Sequence, residues 1–342
     1  MRIDIHTKAP GKTIVLGDQV VVSGYPGLVI PIEQTASCRI YSAENSKLTV
    51  KLNSFNTQHQ VSAAELLSTS WLTQMRLSKQ QALAEGKIAN YLADFRSNPF
   101  NLVRSALENA IEFAKRSGDA NLSKLSDDLG IVIDSEIPQG GFGSSTAVTV
   151  AIIKAVFELL ETKYSLEELA RLTISAEALF YAGEPSGLDQ FCVSYNSAIV
   201  YQKGVKGPDI TRIDTEDGSI PDFEIVDKVT PKFATGEVVA YLQTEIVSNP
   251  EKKRLFAELG EFTTSLIDQI KDNGIKSISK EQWIASFRKI SAIHLKLGII
   301  TKYTADVIEK YENSGGGAKF SGAGTIAHLD QNAGSGKIIG IR

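Results

Sequence analysis

The chain opens on an alternation: Ile3 and Ile5 stand against Arg2, Asp4 and His6, the period of a half-buried strand. Ala9-Pro10-Gly11-Lys12 is expected to break it. Ile14-Val15-Leu16 and Val20-Val21-Val22 continue as strand segments on either side of Gly17-Asp18-Gln19, and Ser23-Gly24-Tyr25-Pro26-Gly27 is a turn cluster. Residues 28–32, 37–41 and 48–52 predict further strands, so the first fifty residues are β-rich. Residues 53–97 are polar, with helical pieces expected near 62–69 and 79–94. From Pro99 to Arg116 the stripe Leu102, Val103, Leu107, Ala110, Ile111 and Phe113 predicts a long amphipathic helix.

The apolar run Leu129–Ile133 predicts a buried strand, and Ala147–Leu160 has helical spacing. Between them lies Ile137-Pro138-Gln139-Gly140-Gly141-Phe142-Gly143-Ser144-Ser145-Thr146, with glycine at 140, 141 and 143. That density of glycine is too unfavourable for a regular helix or strand. A strand, a glycine loop and a helix N-terminus together present unpartnered backbone N–H groups to an anion. Ser144 and Ser145 fall where an N-cap sits. A well-capped turn would explain the same residues, because a glycine loop alone is a weak signal. The segment is neither a Walker loop nor a G-x-G-x-x-G.

Further on, Ser165-Leu166-Glu167-Glu168 resembles a capping box opening a helix to about Tyr181. Gly183–Gly187 breaks the chain, Leu188–Val193 begins a short helix, and Ala198–Tyr201 predicts a strand. Residues 203–222 look like a connection between two halves. A strand over Glu237–Leu242 opens the second half, followed by helices near 250–272, 279–297 and 302–312. The glycine-rich stretch Ser314–Gly324 then leads into a strand at Thr325–Leu329, and Lys337–Ile341 closes the chain as a strand. Strands followed by helices in both halves predict an α+β protein of two domains, 1–215 and 216–342.

Composition narrows the function classes. With 342 residues, 42% hydrophobic and 22% charged, the chain suits a globular protein of about two domains. A net charge of −4 and a pI near 5.7 give no support for nucleic-acid binding. No apolar run reaches the ~18 residues that suggest a membrane span, and the first residues lack a signal-peptide pattern. Cys38 and Cys192 alone make neither a disulfide framework nor a zinc site, so a cytoplasmic location is expected. His6, His59, His294 and His328 show no metal spacing.

Three segments combine small residues with a few charged or hydroxyl groups: Ala9–Gly17, Pro138–Ser145 and Gly315–Gly324. A fourth, Pro185–Asp189, presents an Asp after a Pro-Ser-Gly turn. Each has a structural explanation on its own: Lys12 as a solvated lysine, Asp189 as a helix-start acid. Taken in order, Ala9-Pro10-Gly11-Lys12 with Gly17-Asp18, then Pro138–Ser145, then Pro185-Ser186-Gly187-Leu188-Asp189, then Ser321-Gly322-Ala323-Gly324, the chain resembles the GHMP kinases along nearly its whole length. Within that superfamily it is most similar to the mevalonate kinases.

The resemblance implies a ribosomal-S5-like N-terminal domain and a ferredoxin-like C-terminal domain. It implies an ATP site on Pro138, Gly140, Gly141, Phe142, Gly143, Ser144, Ser145 and Thr146, and Mg²⁺ held by Ser145 and Glu177. It implies Asp189 as catalytic base with Lys12 beside it. It places the acceptor against Gly17, Asp18, Gln19, Ser186, Gly322 and Ala323. The implied partner is a small-molecule acceptor, mevalonate or a related compound, with no nucleic acid and no membrane; a homodimer is compatible with it. A carboxylate suits the proton of an alcohol nucleophile, a lysine favours its charged form, and phosphoryl transfer needs positioning, metal and positive charge. Phosphorylation of phosphomevalonate or another anionic acceptor, and a non-catalytic nucleotide-binding relative, stay open.

Four positions depart from the family. It has Glu-His where this chain has Asp18-Gln19. Its second Mg²⁺ ligand, a Glu, aligns by count with Ala178, one residue after Glu177. Its base segment continues with Asn where this chain has Gln190. Its last motif carries more glycine where this chain has Gly322-Ala323-Gly324-Thr325.

Overall fold

The computed structural model describes residues 2–44, 47–118, 120–138, 140–205, 207–213, 222–227, 235–322, 324–332 and 334–342. The chain begins with β1 (Asp4–Leu16), β2 (Gly27–Ser42), β3 (Leu48–Leu52) and β4 (Thr57–Val61). Helices α1 (Ala63–Ser68), α2 (Ser70–Ala84), α3 (Ile88–Ser97) and α4 (Phe100–Ser117) follow, then β5 (Leu129–Ser135). Next come α5 (Ser144–Leu160), α6 (Leu166–Glu177) and α7 (Leu188–Tyr195), then β6 (Ile199–Gly204), β7 (Gly207–Arg212) and β8 (Glu224–Asp227). The chain ends with α8 (Thr235–Ser248), α9 (Pro250–Asn273), α10 (Lys280–Leu297), α11 (Lys302–Asn313), β9 (Gly317–Ser321) and β10 (Lys337–Ile341). This is a mixed α+β fold.

The chain divides into two compact units. One comprises Met1–Gly11, Ile32–Ile137 and Gly143–Asn196; the other comprises Lys12–Pro31, Pro138–Phe142 and Ser197–Arg342. The boundary expected between 215 and 216 lies outside the described residues.

In the first unit β5 is the middle of the sheet. It pairs antiparallel with β2 (Cys38 opposite Ile133) and parallel with β3 (Val50 opposite Ile131), and β4 closes the edge against β3. Helix α5 is apolar nearly all round, the pattern of a helix surrounded by protein. Val150, Ile152, Ile153, Val156, Phe157 and Leu160 are all buried, and α4 and α6 pack on it. Capping boxes start α6 at Ser165 with Glu168 and α1 at Ser62 with Glu65. The helical stretch expected at 79–94 is two helices, because Gly86 turns through a positive φ between α2 and α3.

In the second unit β10 lies between β8 and β9, both antiparallel to it. Helix α10 packs on β9 and on α9. The core here holds Trp283, Phe287 and Phe320, with Phe223 stacked on Phe287. Among the described residues no helix is long and apolar enough to cross a membrane.

Four sequence expectations are corrected. The break expected at Ala9–Lys12 is absent: β1 runs unbroken to Leu16, and the Lys12 N–H is satisfied by the Phe142 carbonyl at 2.9 Å. Val21–Ser23 is a short 3₁₀ turn, not a strand. Glu237–Leu242, expected as a strand, lies in α8. Val238 and Leu242 are buried and α8 packs on α9, and this tertiary packing overrides the strand propensity of the β-branched run. The strand expected at Thr325–Leu329 is β9 instead, at Gly317–Ser321, with a 3₁₀ turn at Ala327–Leu329. Gly317 is where α10 crosses closely, since a Cβ there would lie 2.4 Å from the Ile284 carbonyl oxygen. The glycines of 315–317 therefore include a packing contact, not only a loop.

Candidate active site

Two clusters gather the residues singled out above, one in each unit. In the first unit, β5 delivers the chain to α5, whose N-cap is Gly143 at φ 68° with no side-chain cap. The expectation that Ser144 and Ser145 cap the helix is corrected: both lie in its first turn, with the Ser144 hydroxyl 3.1 Å from that of Ser135. Thr146, next along, is fully buried. Its hydroxyl lies 3.1 and 3.0 Å from the two carboxylate oxygens of Glu177 and donates to them. Glu177 is the last residue of α6 and also accepts from the Gln190 side-chain amide. The Ser145 hydroxyl bonds to Glu177 and to the Tyr181 phenol. Asp189 sits in the first turn of α7, directly after Gly187 in the left-handed region at φ 95°; the Ser186 hydroxyl accepts from the Leu188 N–H.

Electrostatics mark this cluster. Burial pushes the Glu177 carboxyl up to about 7, against the lowering hydrogen bonds from Gln190, Ser145 and Thr146; the Asp189 charge adds to the rise. Burial likewise raises the Tyr181 phenol far above its usual range, with the Glu177 and Asp189 charges adding to it, so it remains a proton donor. Perturbed acids of this kind cluster at functional sites.

A stability prediction follows from Glu177. Its folded pKa of about 7 lies above the unfolded value of 4.5. Its neutral form is thus favoured by the fold, and stability is lost as pH rises from 4.5 through 7. The full loss is about 3 kcal/mol at ~1.4 kcal/mol per unit. Glu177→Gln removes this titration, so the metal-free variant should gain stability relative to the parent between pH 5 and pH 8. Thermal melts at both pH values check this; an equal difference at the two would refute it.

In the second unit, the last residues of β1 hold Lys12 buried and the strand stops at Leu16, before Gly17 (φ 94°). Asp18 follows with its carboxylate buried. One oxygen lies 2.5 Å from the Lys319 ammonium and the other accepts from the Gly322 N–H at 2.9 Å. Lys319, fully buried in β9, also donates to the Ile14 carbonyl at 2.9 Å. Burial raises Asp18 and lowers Lys319, each opposed by the other's charge, and the Lys12 charge acts on both. The Gln19 amide reaches the Gly322 carbonyl at 3.5 Å, and the Ser321 hydroxyl accepts from Thr13 and from the Ile14 N–H. Gly141, at φ 88°, comes so near β9 that a Cβ would lie 2.6 Å from the Ser321 carbonyl oxygen. Only glycine fits both that approach and that backbone conformation.

Thus Ser145, Thr146, Glu177 and Asp189 share the first cluster. Lys12, Asp18, Gln19, Gly141, Phe142 and Gly322 share the second. Ala323 lies outside the described residues. Three participants were not singled out as site residues from the sequence: Lys319, Gln190 and Tyr181. The signal for Lys319 was a lysine amid small residues at Gly317-Ala318-Lys319-Phe320-Ser321. Gln190 was visible only as a departure from the family, and Tyr181 left no sequence signal.

Comparison with known proteins gives the class first. The model for the GHMP kinases N terminal domain matches residues 101–197. The Methanococcus jannaschii mevalonate kinase structure superposes with a TM-score of 0.70 at 20% identity, covering 100% of this chain and 90% of that one. The structure of Streptococcus pneumoniae phosphomevalonate kinase in complex with phosphomevalonate and AMPPNP gives a TM-score of 0.65 at 16% identity, covering 98% and 92%. The fold is therefore the two-domain fold of GHMP kinases. In sequence, the chain is 27% identical over 333 residues to the mevalonate kinase of Pyrococcus horikoshii, covering 94% of this chain and 86% of that protein. Residues 101–197 thus carry the GHMP kinase N-terminal domain, and the relatives over nearly the whole chain support a small-molecule kinase of that class.

Proposed function

We propose that the chain transfers the terminal phosphoryl group of ATP to a hydroxyl of mevalonate with Mg²⁺. One observation carries the reading: the buried carboxylate of Glu177, ringed by the hydroxyls of Ser145 and Thr146, in the same unit as Asp189 at the start of α7. Similarity to mevalonate kinases over 94% of the chain supports mevalonate as the acceptor.

The residues present fit both groups. A carboxylate and a hydroxyl are hard oxygen donors suited to Mg²⁺, so Glu177 and Ser145 would hold it. The left-handed glycines Gly140, Gly141 and Gly143 free the backbone of 140–143, which leads into the N-terminus of α5, a favourable end for phosphate. When bound, the metal neutralises charge on the phosphate oxygens.

The protein's own groups supply the rest. Asp189 accepts the proton of the acceptor hydroxyl, making a poor nucleophile competent. Lys12 offers positive charge to the transferring group. Gln19, Ser186 and the backbone at Gly17 and Gly322 bind the acceptor. Asp18, engaged by Lys319 and the Gly322 N–H, acts by fixing that backbone.

Release of ADP from MgATP, measured with mevalonate, phosphomevalonate, homoserine, galactose and no acceptor, tests the reading. Mevalonate-dependent release is the expected result. Release only with another acceptor moves the substrate and keeps the class. Tight nucleotide binding without release in any arm would overturn the reading in favour of a binding protein.

A further inference from the structure

Gln190 is buried at 2% exposure in the first turn of α7, immediately after Asp189. Its amide nitrogen donates to Glu177, the terminal residue of α6. Its other polar atom, Oε1, is buried with no hydrogen-bond partner among the described residues. A buried carbonyl left unbonded is unfavourable for folding, and an apolar side chain of similar length would avoid that penalty. What the glutamine gains here is the one bond it makes, from its amide to the buried Glu177 carboxylate.

That bond has a particular reach. Gln190 directly follows Asp189, and a glutamine arm is one methylene longer than an asparagine's. The longer arm spans from the turn carrying Asp189 to the end of α6. Among the described residues, the carboxylate it meets is otherwise aligned by hydroxyls, Thr146 on both oxygens and Ser145.

We propose that Gln190 is a positioning residue: its amide N–H fixes the Glu177 carboxylate in register with the turn that bears Asp189, so that the carboxylate is held for the metal. The inference rests on the reading of Glu177 as a metal ligand. Groups that orient a ligand from the next shell out typically change metal affinity 10- to 100-fold when removed.

The test uses the full chain, Mn²⁺ as the metal probe and saturating AMPPNP, with free Mn²⁺ read by electron paramagnetic resonance. Gln190→Met keeps the length and volume and removes the donor. It should weaken Mn²⁺ binding about tenfold or more, with a melting temperature close to the parent's, because the orphaned carbonyl and one hydrogen bond to Glu177 are lost together. Gln190→Asn keeps the amide and shortens the arm; it should also weaken Mn²⁺ binding, since the donor falls short of Glu177. A merely structural role would lower the melting temperature and leave Mn²⁺ affinity in place, and that result overturns the proposal. Glu177→Gln is the reference arm. Loss of Mn²⁺ there with full affinity in both Gln190 variants refutes the role of Gln190 alone. Full affinity in Glu177→Gln refutes the metal assignment itself, and the positioning role with it.

Discussion

Asp189→Asn is expected to lower kcat by about 10²- to 10⁴-fold, the range that a well-placed general base contributes, while nucleotide binding stays near the parent's. The side chain keeps its size and its place in the first turn of α7 after Gly187, so the fold has little reason to change. What is lost is the acceptor for the hydroxyl proton. Because that deficit belongs to the transition state and not to substrate binding, kcat and kcat/KM should fall together. A second consequence is electrostatic: the Asp189 charge helps raise Glu177, so neutralising it lowers the pKa of Glu177. Single-turnover kinetics and equilibrium nucleotide titration check the first effect. Ordinary turnover in the variant would remove Asp189 from the mechanism.

Lys319→Met carries the largest expected loss of stability. Lys319 is fully buried, and its ammonium meets Asp18 at 2.5 Å and the Ile14 carbonyl. Burying an ion pair is not in itself strongly stabilising, but removing one partner strands the other, at about 3–5 kcal/mol. Among the described residues, Asp18 would then keep the Gly322 N–H at 2.9 Å and the more distant Lys12 charge. The double variant Asp18→Asn with Lys319→Met removes the stranded charge and should recover much of the loss. Urea unfolding of the parent, both single variants and the double variant measures the coupling. A single Lys319→Met within about 1 kcal/mol of the parent, no more than an exposed pair is worth, would show that the pair is not buried in solution.

The sequence alone determined the order of the chemistry. Glycines at 140, 141 and 143 between an apolar strand and an apolar helix can hardly be anything but a loop feeding a helix N-terminus. Pro185–Asp189 before a short helix likewise placed an acid in a first turn. These are local features, set by backbone freedom and by helix ends. The amphipathic stripe of α4 and the capping box of α6 were legible for the same reason.

Position in space was decided elsewhere. Nothing local distinguishes Val238 and Leu242 in a strand from the same residues in α8, because both patterns bury them; packing on α9 chose the helix. Nothing local paired Asp18 with Lys319 or Gln190 with Glu177 either. The first pair is brought together across the chain by β1 and β9, the second by the packing of α6 on α7. A charge hidden in a strand looks like an error in the hydrophobic pattern until its partner is known. The sequence therefore determined which groups this kinase carries. The tertiary structure decided which of them are buried together, because desolvation and pairing depend on neighbours that are distant along the chain.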